Sequence, residues 1–290
     1  MKRRTIFKHL VFTLVLGAQI STLAQAGQEN RPQPHASCAS KLEVACEQVR
    51  MGVEAYRQAN FAEAVDHFRN ATEMDPNFLQ ARLYLGTALT QEYVPGGDSP
   101  ENLQAAKQAI AAFESVLELD ARNTTALASV AQIYYNMKQF DKAREYQLRR
   151  IDVEPANPEP YYWVGVLDWA QCFPRQMKLR TDLKLNLPQD PEKPGMLPPL
   201  PEDDRARLAS ENGPAVEEGI KNLKKAIELK PDSRDAMAYL NLLYRQKSDL
   251  EVDEDARQND LRIAQEWVDK ALAIARQQTS PTPGQEGRQP

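Results

Sequence analysis

One cadence recurs along the chain: a small residue, a bulky one, a second small one, then a proline. In FAEAVDHFRNATEMDPNF, Ala64, Phe68 and Ala71 lie at helical spacing ahead of Asp75-Pro76. The cadence returns from Phe140 with Ala143, Tyr146 and Pro155, and from Ala215 with Gly219, Leu223, Ala226 and Pro231. Each instance follows an apolar stretch with a small residue at its middle. Gly52 and Gly86 are 34 positions apart, and so are Ala131 and Gly165. Gly86 leads to Ala109, Phe113 and Val116; a fifth unit runs from Leu240 and Tyr244 to Ala264, Val268 and Ala271. Two antiparallel helices approach closely only where one presents Gly or Ala and the other inserts a bulky side chain beside it. Proline then ends the second helix, because it lacks an N–H donor and clashes with the preceding turn. The pattern is therefore a packing code for stacked helical hairpins, and no run of alternating polarity asks for a strand.

A helical hairpin of this period resembles the tetratricopeptide repeat, a helix–turn–helix unit of about 34 residues. The resemblance covers roughly residues 45–276. It implies an all-α solenoid over 41–276 of five repeats, at about 45–78, 79–123, 124–157, 158–233 and 234–276. Single positions depart from the pattern. Ala121 stands in place of a terminating proline, Arg150 in place of a small residue, and Asn241 in place of the fifth unit's central Gly or Ala.

Three units are interrupted between their helices. The second and fifth each carry about 11 extra residues, around VPGGDSPEN and SDLEVDEDA, and the fourth carries about 42, over 174–213. The centre of that insertion, Leu187–Pro201, is proline-rich and favours extended polyproline-like backbone, with a short helix expected at Glu202–Asn212 and ended by Gly213. Insertions of this length are either functional or disordered. This one is read as a second docking surface or a lid.

The ends differ from the middle. Lys2, Arg3, Arg4 and Lys8, an apolar stretch from Leu10 to Leu23, and Ala24-Gln25-Ala26 predict a secretory signal over 1–26. The apolar run is shorter than the roughly 20 residues a membrane-spanning helix needs, so no stable membrane insertion is expected after cleavage. Residues 27–40 and 277–290 are polar, rich in Pro, Gly and Gln, and predict a disordered leader and tail. Four of the 36 Lys and Arg lie in the signal, so 32 would face 41 Asp and Glu in a periplasmic or secreted mature chain. Such an acidic excess excludes a nucleic-acid partner. Of the three cysteines, Cys38 and Cys46 are the pair close in sequence. In an oxidising compartment they could be bridged, or Cys46 could simply be a small residue on a helix face. Cys172 is left over.

Catalytic signatures are missing. The sequence has no phosphate-cradling glycine loop, no Gly-x-Ser-x-Gly elbow, no His-Glu-x-x-His helix and no Cys-x-x-Cys pair. Outside the signal there are two histidines, His35 and His67, so no metal and no cofactor are expected and the chain is read as no enzyme. Asp168 beside Trp169 is the one carboxylate that invites a chemical role; acidic groups on amphipathic helices otherwise form a solvated face. Asn70-Ala-Thr72 and Asn123-Thr-Thr125 match the glycosylation pattern and are read as coincidences, with Asn123 in a turn between repeats.

Binding is the better expectation. Stacked repeats of this family line an inner groove with the first helix of each pair. The resemblance puts Tyr56, Leu83, Thr87, Gln132, Tyr135, Tyr162, Val166, Trp169 and Leu242 at groove-facing positions. The Lys and Asn residues with which some members grip a terminal carboxylate are absent from these places. What remains is an aromatic and apolar patch centred on Tyr135, Tyr162 and Trp169, suited to a peptide docked by aromatic anchors. Trp163 is read as packing against the insertion or a neighbouring helix. The leading expectation is a non-enzymatic scaffold for protein or peptide partners. Two alternatives stand beside it: an envelope-assembly or cell-wall-associated factor that self-associates as a homo-oligomer through its C-terminal repeat, where Trp267 and Ile274 lack obvious cover, and a hydrolase or sugar-binding accessory.

Overall fold

A computed structural model of the chain describes residues 43–186 and 197–279. The expected signal and leader, Cys38, and the proline-rich centre of the insertion at 187–196 lie outside the described residues. Among the described residues there are ten helices and no strand. They fall into two compact units with the boundary between Gln139 and Phe140, so the two helices of the expected third repeat belong to different units.

The first unit holds α1 (Glu43–Arg57), α2 (Phe61–Met74), α3 (Leu79–Thr90), α4 (Pro100–Leu119) and α5 (Thr124–Asn136). Its hairpins close where the sequence places small residues. A Cβ built on Gly52 would lie 2.6 Å from Phe68, and one on Gly86 would lie 2.8 Å from Phe113. Phe68, Ala64, Ala71, Ala109 and Phe113 are all buried. Phe68 also meets Tyr84 at 5.4 Å between ring centroids, so the bulky residue of one hairpin reaches the next.

The end of α4 shows what terminates these helices. With Ala121 in place of proline, the helix still stops at Leu119. Asp120 accepts a hydrogen bond from the backbone N–H of Arg122 (3.1 Å), as Asp75 does from Asn77 (3.0 Å). An aspartate turn therefore stops both α2 and α4, and proline accompanies it in α2. The next helix begins three residues on from Asp120, where Asn123 accepts from the N–H of Ala126 at 3.0 Å and caps α5. That engagement gives the second Asn-x-Thr motif a structural role.

The second unit holds α6 (Phe140–Val153), α7 (Pro158–Asp182), α8 (Glu202–Leu229), α9 (Arg234–Ser248) and α10 (Glu254–Thr279). A Cβ on Gly165 would meet Leu223 of α8, and one on Gly219 would lie 2.8 Å from Leu243 of α9 and 3.0 Å from the Cβ of Asp168. Ala143, Ala226 and Ala264 are buried, whereas Ala271 is half-buried near the end of α10. Arg150, in place of a small residue, is buried and held by Gln147, Glu154 and Glu159.

The fourth repeat corrects the expected arrangement of its insertion. Helix α7 continues through Pro174 to Asp182, and α8 starts at Glu202 and runs through Gly213-Pro214 without a break. The expected short helix is therefore the first part of a 28-residue one. Contacts across the two extensions outweigh local helix preference. Buried Asn212 donates to the carbonyl of Cys172 (3.3 Å) and accepts from Arg175 (2.7 Å). Helix α10 likewise extends to Thr279, three residues into the expected tail.

A buried ionic clasp joins this insertion to the fifth repeat. Arg180, at 0% exposure, donates through Nε to Asp249 at 2.7 Å and through Nη2 to the other carboxylate oxygen. Gln176 donates to the same aspartate. Nη1 of Arg180 donates to the carbonyls of Leu185 and Pro198, both at 3.0 Å, and so holds the two edges of the connecting segment together. Arg257 reaches the carbonyl of Leu197 at 2.7 Å.

Candidate functional site

Helix α7 starts sharply because Asn157 caps it and Pro158 occupies its first turn. Its residues at helical spacing from Tyr162 build an aromatic cluster with α9. Tyr162 and Trp169 both meet the ring of Tyr239 edge-on, at 5.8 and 5.4 Å between centroids. Phe173 stacks on Trp169 at 4.9 Å and remains 38% exposed. Tyr239 is buried beneath them, Tyr162 and Trp169 are half-buried, and Trp163 packs edge-on against Tyr162 at 5.5 Å. Trp169 Nε1 is buried and has no hydrogen-bond partner. Aromatic pairs at these separations are mutually stabilising and rigid, which makes a preformed apolar surface.

Tyr162 and Trp169 meet on the ring of Tyr239, and the cluster also holds Phe173 and Tyr239, which the sequence reading did not name, whereas Tyr135, expected at the centre of the same patch, belongs to the first unit. Four-residue spacing from Trp169 was the signal available for Phe173. Val166, expected to face the groove, is buried and offers a partner no surface. Thr87 is also buried, and its hydroxyl donates to the carbonyl of Leu83 at 2.9 Å. Tyr56, Leu83, Gln132 and Tyr135 are half-buried residues of the first unit. Tyr56 packs on Phe61 at 5.2 Å, and Gln132 donates to Asn136 at 3.1 Å. Cys46 is buried in α1, and its expected partner Cys38 lies outside the described residues.

Asp168 sits behind the aromatic cluster rather than on a solvated face. Its side chain is 2% exposed, one oxygen accepts from Arg144 of α6 at 3.1 Å, and the other has no partner. Burial pushes this carboxyl up to about 6, against the opposing pull of Arg144, with Glu218 adding a smaller upward push. The folded value lies above the unfolded one, so the fold penalises the carboxylate form. That penalty is absent below about pH 4 and complete above about pH 6. Acidifying from pH 7.5 to 5 is therefore expected to stabilise the second unit through Asp168 by about 1.4 kcal/mol, the worth of the one pH unit by which pH 5 lies below the folded value. Asp168→Asn should flatten the part of the melting-temperature profile between those values; a profile unchanged by the substitution would contradict the assignment.

A surface cavity of about 560 Å³ lies between α7 and α8, lined by Tyr161, Ile220, Lys221, Lys224, Lys225 and neighbouring glutamates. Its charges are answered locally: Lys221 pairs with Glu218, Lys225 with Glu228, and Lys224 lies over the Tyr244 ring at 5.4 Å. Among the described residues no group of three or more His, Cys, Asp or Glu side chains converges as a metal site. No described helix is long and apolar enough to cross a membrane.

Residues 49–107 and 124–157 each match a family model described as tetratricopeptide repeat. Over those two stretches the chain is similar to tetratricopeptide repeats. The crystal structure of MamA protein superposes with a TM-score of 0.53, covering 83% of this chain and 99% of that one at 14% identity. MamA 41-end from Desulfovibrio magneticus RS-1 gives 0.51 at 17% identity, covering 83% and 99%. At such identities the likeness shows the fold, a solenoid of helical repeats. Interferon-induced protein with tetratricopeptide repeats 2 of Cricetulus griseus is 26% identical over 62% of this chain. Hsp70-Hsp90 organizing protein of Triticum aestivum is 28% identical over 40%. The chain spans 31% and 18% of the length of these two relatives. Gly52 and Gly86 lie within the first matched stretch, whereas Gly165 and the aromatic cluster of α7 lie beyond both.

Proposed function

We propose that the protein is a non-enzymatic scaffold, exported to the periplasm or beyond, that binds a protein or peptide through the second unit's aromatic cluster. The observation that carries this reading is the Trp169–Phe173 stack, half-open to solvent and backed by buried Tyr239. Buried aromatic backing lets an exposed ring act as a rigid anchor, so little side-chain entropy is lost on docking. The relative from Triticum aestivum is named an Hsp70-Hsp90 organizing protein, which supports a partner-gathering role. Export rests on the basic, apolar and small-residue segments of 1–26, and fold alone does not fix function. Paired substitution Tyr162→Ala and Trp169→Ala is expected to abolish partner capture in a native-compartment crosslinking experiment while leaving the helical spectrum in place. Unchanged crosslinks in that variant would remove the docking assignment.

A further inference from the structure

The three cysteines of the chain stand in two states. Cys172 is a buried free thiol, whereas Cys46 is disulfide-bonded. With Cys172 free, Cys38 is the one cysteine of the sequence left to be the partner of Cys46. Cys38 itself lies outside the described residues, so the pairing rests on the state of Cys46 and on this count. Cys46 is the fourth residue of α1 and is buried. It shares its helix face with Ala45, Val49, Gly52 and Val53, all buried, where α1 meets α2. Two residues further on, Gln48 is hydrogen-bonded to His67 of α2 at 2.8 Å, so this part of α1 is fixed against its neighbour. Seven residues lie between Cys38 and Cys46. A connection of that length spans the Cα separation of a disulfide, about 4.4–6.8 Å, with slack to spare. The first helix of a repeat array has a preceding neighbour on neither chain nor stack, and Val44 and Met51 of α1 are exposed.

We infer that Cys38 and Cys46 form a structural disulfide that fastens the segment before α1 to the first hairpin. The bond closes a ring running from residue 38 to residue 46. It restricts the unfolded chain, and it anchors α1 at the end where a terminal helix frays. Two thiols become one disulfide with the loss of two protons and two electrons, so an oxidant takes part. A disulfide donor, small molecule or protein, is the oxidant. One cysteine thiolate attacks it, a mixed disulfide forms, and the second cysteine thiolate displaces the remaining half, so that both halves of the donor leave as thiols. Oxidants of this class act outside the reducing cytosol, in keeping with the export proposed above. The inference is independent of the aromatic docking cluster, which belongs to the second unit.

The full chain, reduced and unfolded and then refolded in a buffer of reduced and oxidised glutathione, tests this. Maleimide tagging in denaturant is expected to find a single thiol per chain, that of Cys172. Peptide mapping without reductant is expected to find Cys38 joined to Cys46. Three free thiols, or Cys46 joined to Cys172, to glutathione or to a second chain, would overturn the pairing. Cys38→Ser removes the bond by a change outside α1 and leaves the buried face of that helix as it is. Hydrogen exchange of the α1 amides should quicken about tenfold or more in this variant, and equally in the unaltered chain once reduced. Reductant should add nothing further to Cys38→Ser. Exchange in α1 that neither the substitution nor reduction changes would overturn the anchoring role.

Discussion

Asp249→Ala should cost the second unit about 3–5 kcal/mol in chemical denaturation, one of the two largest losses expected of a single side chain here. The substitution leaves Arg180 at 0% exposure with a full charge and no carboxylate, because its remaining partners are the Leu185 and Pro198 carbonyls. Two carbonyl dipoles cannot replace an anion in such a place. Gln176 loses its acceptor at the same time. The charge imbalance is the cause, so removing both charges should be milder. A double variant, Arg180→Leu with Asp249→Leu, is expected to recover much of the loss, since a well-packed apolar pair often matches a buried ion pair. A loss below about 1 kcal/mol for Asp249→Ala would mean that water reaches the clasp, contrary to its burial.

Gly165→Leu should be comparably severe for a different reason. Even a Cβ at this position collides with the branched carbon of Leu223, and Leu223 is itself fully buried. Neither helix backbone can retreat without parting α7 from α8, so overpacking is expected to cost about 3 kcal/mol or more. Gly213→Ala is the matching control. A Cβ there meets nothing within 4 Å beyond its chain neighbours, and the helix gain of alanine is offset by the ring of Pro214 that follows, so this variant should shift stability by less than about 1 kcal/mol. Equal melting temperatures for Gly165→Leu and Gly213→Ala would contradict the packing code.

The hairpins were legible in the sequence because their signal is periodic. Gly52, Gly86 and Gly165 each sit against the bulky residue that the cadence places on the following helix. Proline was the weaker guide. It marked the ends of α2, α6 and α8 correctly, but Pro174 and Pro214 lie inside helices held by the pairing of Asn212 with Cys172 and Arg175. That pairing spans about 40 residues of sequence and leaves no local trace. Arg180 and Asp249 are 69 residues apart, so the clasp was equally invisible. At the candidate site, Tyr162 and Trp169 could be placed by register, whereas the burial of Val166 and Tyr239 depends on how closely α9 approaches α7. Asp168 drew notice in the sequence for its place beside Trp169, but its burial follows from the close crossing of Gly219, which no local pattern shows.

The thiol of Cys172 gives the second unit an internal clock. It is 1% exposed and is free, and burial raises its thiol to about 11, so at neutral pH it is neither accessible nor ionised. An alkylating reagent can reach it only when α7 and α8 separate, and the liberated sulfur then reverts to ordinary reactivity. The pace of its alkylation in native buffer therefore counts openings of that hairpin, without any label having been introduced.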